Sequence, residues 1–144
     1  MIDRSLLFEA KAFLCWEKFN QLSIKLIPIK DPVAFFYPPT KEIATIHLFY
    51  RHDTADFSSS ICLLFHEAGH FQQWQRLSGS GKEDEFWYGL NLDKGNEKIT
   101  FEAEAWELGL QLMHEFVDRL DKNCGELINI YGALAQQSLL TYAE

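Results

Sequence analysis

The sequence predicts an α+β fold, in which an N-terminal helix and a small sheet precede the remaining helices. Three observations predict it: an apolar stripe at helical spacing in the first 21 residues, three short β-favouring segments between residues 23 and 50, and long helical patterns further along the chain. Strands and helices that occupy separate parts of a chain are typical of α+β proteins. The length of 144 residues suits one domain, and we expect residues 1–144 to form a single one.

The N-terminal helix and the sheet follow from local patterns. Asp3 can cap the first helix, whose apolar stripe extends to Phe19. Strands are predicted at residues 23–29, which alternate with period two, at 33–37, which stop before two prolines, and at 43–50, which are rich in β-branched and aromatic residues. Because the connections between these segments are short, we expect a small antiparallel sheet.

Three helices are predicted after the sheet, the first of which carries the motif described below. They run from about Ser59 to Leu77, from Thr100 to about Lys122 and from about Glu126 to Tyr142. The intervening residues 78–98 contain four glycines and show no sustained period. This segment is either a lid hinged at its glycines or a surface excursion with a short helical turn whose aromatic residues complete the core.

Composition disfavours several classes of partner. The chain carries 13 basic and 21 acidic side chains, and its net charge of −8 disfavours nucleic acid and anionic membranes. No apolar segment approaches the roughly 20 residues of a membrane span, and the first residues lack the pattern of a signal peptide. The three cysteines are widely spaced and include no CxxC pair, which indicates reduced thiols. We therefore expect a cytoplasmic protein.

Residues 66–70 read His-Glu-Ala-Gly-His, an HExxH motif at the centre of the first helix after the sheet. His66 and His70 share one helix face, so both imidazoles can reach one metal ion, while Glu67 lies close enough to act as general base on a water molecule. Nitrogen ligands with one open position are typical of catalytic zinc. Apolar flanking residues indicate a buried helix, and the alternative interpretation is a pair of core histidines that flank a glutamate. Gly69 indicates that another element approaches closely.

A mononuclear site needs a third protein ligand. The metzincin pattern requires glycine at position 73 and histidine at position 76, but this chain has Gln73 and Arg76, which excludes that class. Glu102 lies on the apolar face of the following helix, where a carboxylate must be paired or bound to metal. We expect Glu102 to be the third ligand, ahead of three alternatives: Glu97, Glu104 and His114.

The sequence leaves the roles of several other side chains near the motif open. Cys62, one turn before His66, could approach the metal, but its apolar surroundings favour a small buried hydrophobic role. Trp74 and Trp106 are expected to be walls of the site. Residues 43–50 could form an edge strand that binds an extended substrate. The candidates for stabilising an oxyanion remain open: His47, Tyr88, His114 and Tyr131.

The HExxH motif, followed by Glu102-Ala103-Glu104-Ala105, resembles the zincin-like, gluzincin-type metallopeptidases of the ImmA/IrrE group. That group has an HExxH helix and a later E-x-x-A motif whose first glutamate binds zinc. The resemblance covers roughly residues 40 to 120, as judged from the motif spacing. It implies a compact α+β fold with strands before the HExxH helix, His66, His70 and Glu102 as zinc ligands, and Glu67 as the general base.

These observations predict a hydrolase, a bacterial-type zinc metallopeptidase that cleaves a peptide or protein substrate by a metal-activated water. The resemblance also implies a regulatory variant, in which the domain cleaves a partner protein such as a transcription repressor. No DNA-binding segment is recognisable, so that partner would be a separate chain. The alternative from a different class is a non-catalytic zincin-like interaction or regulatory domain, with a structural or vestigial metal site.

Overall fold

A computed structural model describes residues 1–121 and 123–143, and it confirms the predicted α+β class. The first helix, α1 (Arg4–Ala12), is capped by the side chain of Asp3, as predicted, and continues into a π-helical segment at Phe13–Lys18. The elements are α1 (Arg4–Ala12), β1 (Leu22–Ile27), β2 (Val33–Tyr37), β3 (Ala44–Phe49), α2 (Ser58–Gly79), α3 (Glu83–Asn91), α4 (Asn96–Asp118) and α5 (Gly125–Leu140).

The three strands form a mixed sheet, so the predicted antiparallel sheet is wrong in one of its two pairings. Strand β3 pairs antiparallel with β2 but parallel with β1, in the order β1-β3-β2. The inward residues Ala44, Ile46 and Leu48 of β3 are fully buried, and this strand takes the centre. Residues 43–50 therefore do not form an edge strand. The edge strand that packs on α2 is β2.

Within the described part of the chain the structure has three helices after α2, whereas the sequence predicts two. The additional helix is α3, which lies inside the glycine-containing segment at residues 78–98. Its Phe86 is fully buried, whereas Trp87 and Tyr88 are exposed, so one of its three aromatic residues completes the core. Helix α4 begins at Asn96, before the predicted Thr100. Lys122, where this helix was expected to end, lies outside the described residues.

Helices α2 and α4 cross in direct backbone contact, and this crossing positions the site described below. A Cβ atom on Gly69 would overlap the backbone oxygen of Ala105, and one on Gly109 would overlap that of Phe65. Only residues without a side chain allow the two backbones to meet this closely. The close approach expected at Gly69 is confirmed. Glu102 lies about one turn before Ala105 and therefore faces the HExxH residues.

All three cysteines are free, and Cys62 is fully buried with its Sγ 3.9 Å from the carbonyl oxygen of Leu127. This position agrees with the small hydrophobic role predicted for Cys62.

In the part of the chain that the structure describes, no helix combines the length and the apolar character that crossing a bilayer requires.

Candidate metal centre

Two histidines of α2 and one glutamate of α4 converge at the crossing of these helices. Nε2 of His66 lies 3.5 Å from Oε1 of Glu102, and Nε2 of His70 lies 3.0 Å from Oε2. One ligand atom from each side chain lies within 4.8 Å of the other two. The three residues are only 5%, 3% and 4% exposed. The structure thus brings together the three residues predicted as ligands, close enough to hold one metal ion.

The donor atoms are arranged so that one metal ion could bind all three side chains. Oε2 of Glu102 is buried and forms no hydrogen bond with the described residues, and the polar atoms near it are Nε2 of His70 at 3.0 Å and Nζ of Lys98 at 3.9 Å. A buried carboxylate oxygen without a partner is costly, and a cation shared with the ring nitrogens would remove that cost. Two imidazole nitrogens and a carboxylate also form a ligand set found in catalytic zinc sites. The residues therefore fit a divalent metal ion, zinc included.

Burial and the Glu102 carboxylate set the protonation of the cluster. Burial lowers the pKa of His66 to about 4, despite its contact with Glu102. Burial also lowers the pKa of His70, but Glu102 outweighs burial there and the pKa ends above its ordinary value. Burial would raise the pKa of Glu102, but the two histidines hold it well below its usual range. Metal binding needs neutral imidazoles and an ionised carboxylate. His66 and Glu102 already have these forms at neutral pH.

Glu67 lies beside the cluster and has a strongly perturbed acidity. Its side chain is buried, and burial, with a further contribution from the charge of Glu102, raises its pKa to about 7. The charges of His70 and Lys98 and a hydrogen bond from the backbone of Phe36 oppose this rise without cancelling it. Since Phe36 belongs to β2, the edge strand of the sheet passes beside this carboxyl group.

Aromatic rings pack against both histidines and hold them in place. The ring of Trp106 stacks on His66 at a centroid distance of 4.0 Å, and the ring of Phe101 stacks on His70 at 5.3 Å. Trp106 and Trp74 are both buried, and Trp106 is a wall of the site as the sequence predicts. The imidazoles are therefore fixed by packing as well as by their polar contacts.

Two polar residues that the sequence did not single out also reach the cluster. Nζ of the buried Lys98 lies 3.9 Å from Oε2 of Glu102 and donates to the carbonyl oxygens of Gly89 and Leu90 at 3.2 and 3.1 Å. The hydroxyl of Tyr142 donates to Oε1 of Glu102 at 3.3 Å. Lys98 precedes Glu102 by four residues on one helix, a spacing that could have identified it. Tyr142 follows Glu102 by 40 residues, and no local pattern connects the two.

The alternative third ligands point elsewhere. The carboxylate of Glu104 accepts a hydrogen bond from Arg76 at 2.7 Å and contributes to a partly exposed ion pair. The carboxylate of Glu97 accepts from the hydroxyl of Tyr88 at 3.2 Å near the surface. His114 is exposed further along α4. Glu102 is therefore the acidic residue of α4 that the structure brings to the two histidines.

The oxyanion candidates from the sequence are likewise engaged away from the cluster. The ring of His47 packs on Tyr37 at a centroid distance of 4.9 Å, on the side of β3 that faces away from the core. The hydroxyl of the buried Tyr131 donates to the carbonyl oxygen of Trp106 at 2.6 Å. Among the tyrosines of the described chain, Tyr142 is the one whose hydroxyl contacts a predicted metal ligand.

Comparisons of the chain with protein-family models, with curated proteins and with solved structures found no match. What the site does must therefore be inferred from its own residues. These provide three convergent metal-ligating atoms, an adjacent carboxyl group that titrates near neutral pH, and a tyrosine hydroxyl.

Proposed function

We propose that this protein is a zinc-dependent peptidase that hydrolyses peptide bonds in a peptide or protein substrate. The observation that carries the proposal is the buried convergence of His66, His70 and Glu102 beside Glu67. A zinc ion bound there would lower the pKa of water toward neutrality and polarise the carbonyl of the scissile bond. The remaining steps fall to side chains of this chain.

Glu67 is the proposed general base. Its carboxylate takes a proton from the attacking water and later passes it to the leaving amine. A pKa of about 7 suits both transfers, because the group is then ready to accept and to release a proton near neutral pH. Its buried position also shields the proton transfer from bulk water.

The edge strand β2 is the proposed guide for the substrate backbone. A strand at the edge of a sheet can pair with an extended peptide. The backbone of Phe36 contacts Glu67, so a peptide aligned along β2 passes the general base. This proposal replaces β3 with β2 as the substrate-binding strand, since β3 already has a hydrogen-bonded partner on each side.

Tyr142 is the proposed donor to the oxyanion that forms on the scissile carbonyl. Its hydroxyl already lies 3.3 Å from a carboxylate oxygen of Glu102. Burial, together with the negative charge of Glu102, raises its pKa to about 12, so the hydroxyl stays protonated and able to donate at neutral pH. A donor aimed at developing negative charge stabilises the transition state more than the substrate.

Zinc stoichiometry and peptide hydrolysis, measured on the same purified preparations, test the proposed function. The wild-type chain should bind one zinc ion, and Glu67→Gln should retain that zinc while losing hydrolysis by roughly 100-fold or more. Glu102→Ala should lose the zinc. Glu107→Gln, an exposed position on the same helix, is the matched control and should change neither property. Zinc below a small fraction of one ion per chain after loading, or full hydrolysis by Glu67→Gln, would contradict the proposal.

A second candidate function is a non-catalytic interaction domain with a structural metal site. It is favoured by the closure of the site, since His66, Glu67, His70 and Glu102 are each at most 9% exposed. In that case the hydroxyl of Tyr142 would complete the metal site in place of substrate. Tyr142→Phe separates the two functions: unchanged zinc affinity with slower hydrolysis supports the peptidase, whereas weaker zinc binding in a protein that hydrolyses no peptide supports the structural site.

A further inference from the structure

Gln73 is a buried polar residue one turn after His70, outside the HExxH motif. Its side chain is only 1% exposed. Its Oε1 lies 2.7 Å from Nδ1 of His70, on the opposite side of the imidazole from the nitrogen that faces Glu102. A buried amide that contacts a predicted metal ligand in this way can control how that ligand binds.

The orientation of the Gln73 amide is fixed by two further hydrogen bonds. Its Nε2 donates to the carbonyl oxygen of Phe101 at 2.8 Å and to Oε1 of Glu104 at 2.9 Å. A carbonyl oxygen and an ionised carboxylate can only accept, so the amide nitrogen must face them. The amide oxygen must then face His70. The same Oε1 of Glu104 also accepts a hydrogen bond from the guanidinium of Arg76 at 2.7 Å, as an ionised carboxylate does.

The fixed amide makes Nδ1 of His70 a hydrogen-bond donor, and a cation between Nε2 and the Glu102 carboxylate, 3.0 Å apart, would leave the proton of the neutral ring on Nδ1. An amide oxygen only accepts, so Nδ1 of His70 must be the donor of the 2.7 Å hydrogen bond. The lone pair of the neutral imidazole is then on Nε2, which is the nitrogen that faces Glu102 and His66. The hydrogen bond also restrains rotation of the ring.

His66 has no equivalent support and provides an internal comparison. Its Nδ1 is buried and has no hydrogen-bond partner among residues 1–121 and 123–143, and its ring is held by stacking on Trp106. The two histidines of the motif are therefore held differently, His66 by an aromatic surface and His70 by a directed hydrogen bond.

We propose that Gln73 is a positioning residue that holds His70 with Nδ1 protonated and Nε2 free to bind the metal, and that Glu104 acts with it by fixing the amide. This role rests on the proposed metal site. Histidine ligands of metals commonly donate their second nitrogen to a carboxylate or carbonyl group, and loss of that partner typically weakens metal binding by roughly 10–100-fold.

The test uses the full chain with zinc alone and three variants. Gln73→Met keeps the length of the side chain but removes the acceptor and both donors. The double variant Gln73→Glu/Glu104→Gln keeps an acceptor for His70 at position 73 and an amide donor to it at position 104, while it gives up the hydrogen bond to the carbonyl oxygen of Phe101 and the ion pair with Arg76. Gln75→Met, at an exposed position of the same helix, is the matched control.

Zinc affinity is measured by competition with a chromophoric chelator, and the Nδ1 proton of His70 is observed by heteronuclear NMR. We expect Gln73→Met to bind zinc roughly 10–100-fold more weakly and to lose the slowly exchanging Nδ1 proton. The double variant should restore both properties, and Gln75→Met should resemble the wild type. Equal zinc affinity and a retained Nδ1 proton in Gln73→Met would overturn the proposal.

Two further outcomes are also decisive. If Gln73→Met does not fold, the double variant carries the test, and a folded double variant without the Nδ1 proton would overturn the proposal. If the wild-type chain binds no zinc, the proposed function fails, but the role of Gln73 is still tested in metal-free protein through the hydrogen bond at Nδ1. There the wild type should show the slowly exchanging Nδ1 proton of His70 and Gln73→Met should lose it, and a wild type without that proton would overturn the proposal.

Discussion

Replacing Glu67 by glutamine removes a buried carboxyl group whose ionisation opposes folding in the metal-free protein. Burial raises the pKa of this group from 4.5 to about 7. The folded state therefore holds a proton on Glu67 that the unfolded state has released, over the range from about pH 4.5 to about pH 7. The free energy of unfolding of the wild-type protein therefore falls as pH rises from about 4.5 to about 7. At higher pH the ionisation of Glu67 changes it no further.

The magnitude follows from the difference between the two pKa values. Each pKa unit corresponds to about 1.4 kcal/mol, so a rise from 4.5 to about 7 corresponds to about 3 kcal/mol above pH 7. At about pH 5 the raised pKa of Glu67 destabilises the folded state by less than about 1 kcal/mol. Glutamine has nearly the same shape and no charge. We therefore expect Glu67→Gln to stabilise the metal-free protein by about 2 kcal/mol more at about pH 8.5 than at about pH 5.

Urea unfolding of both proteins in the presence of a chelator, at these two pH values, measures the difference. Glu104→Gln is the control, because its ion pair with Arg76 lowers the pKa of Glu104 from 4.5, so both assay pH values lie above the range in which that pair is lost and this substitution should cost nearly the same stability at both. Saturation with zinc should shrink the effect of Glu67→Gln, since a nearby cation favours the ionised carboxylate. A gain for Glu67→Gln that is equal at both pH values, or larger at the lower one, would refute the reasoning.

Three other substitutions test the helix crossing and the groups around Glu102. Gly69→Ala should destabilise the protein by about 1–3 kcal/mol in urea unfolding, because the new methyl group overlaps the backbone of Ala105, whereas Gly79→Ala, with open space around it, should be neutral or stabilising. Equal effects at the two glycines would contradict the close crossing. Lys98→Met should lower the unfolding free energy by about 2 kcal/mol, since two carbonyl oxygens, one buried and one partly buried, lose a charged donor, and should tighten zinc binding in a competition titration. Weaker zinc binding at unchanged stability would count against this view. Tyr142→Phe should slow hydrolysis by roughly 100-fold at unchanged zinc affinity, and unchanged rates would remove Tyr142 from the proposed mechanism.

The candidate metal site was largely predictable because its information is local to two helices. His66 and His70 are four residues apart, which places them on one face of any helix. Glu102 was distinguished from Glu104 by the apolar face of its own helix, and in the structure it is the one that meets the histidines. Gly69 indicated a close neighbour, and that neighbour is α4. Each of these inferences needed only helical periodicity and the cost of burying a charge or a glycine.

The pairing of the strands was not predictable in the same way. Periodicity located all three strands within about two residues, but it carries no information on which strand lies beside which. Because β1 pairs in parallel with β3, strand β3 lies between β1 and β2, which are consecutive in the sequence. Helix α3 is predicted only as a short helical turn, one of two alternatives for its segment, because it spans only Glu83–Asn91 and is flanked by glycine-containing turns. Its one buried aromatic residue, Phe86, gives no repeating apolar period.

The sequence by itself determined the α+β class, the HExxH helix and the choice of Glu102, because helical periodicity and burial are properties of neighbouring residues. Only the tertiary structure decided which groups surround that glutamate. Tyr142 reaches Glu102 from 40 residues away, and the amide of Gln73 is oriented by acceptors on another helix. Such contacts depend on how α2, α4 and the C-terminal residues pack against one another. That packing is a long-range property, and the local pattern of the chain does not encode it in readable form.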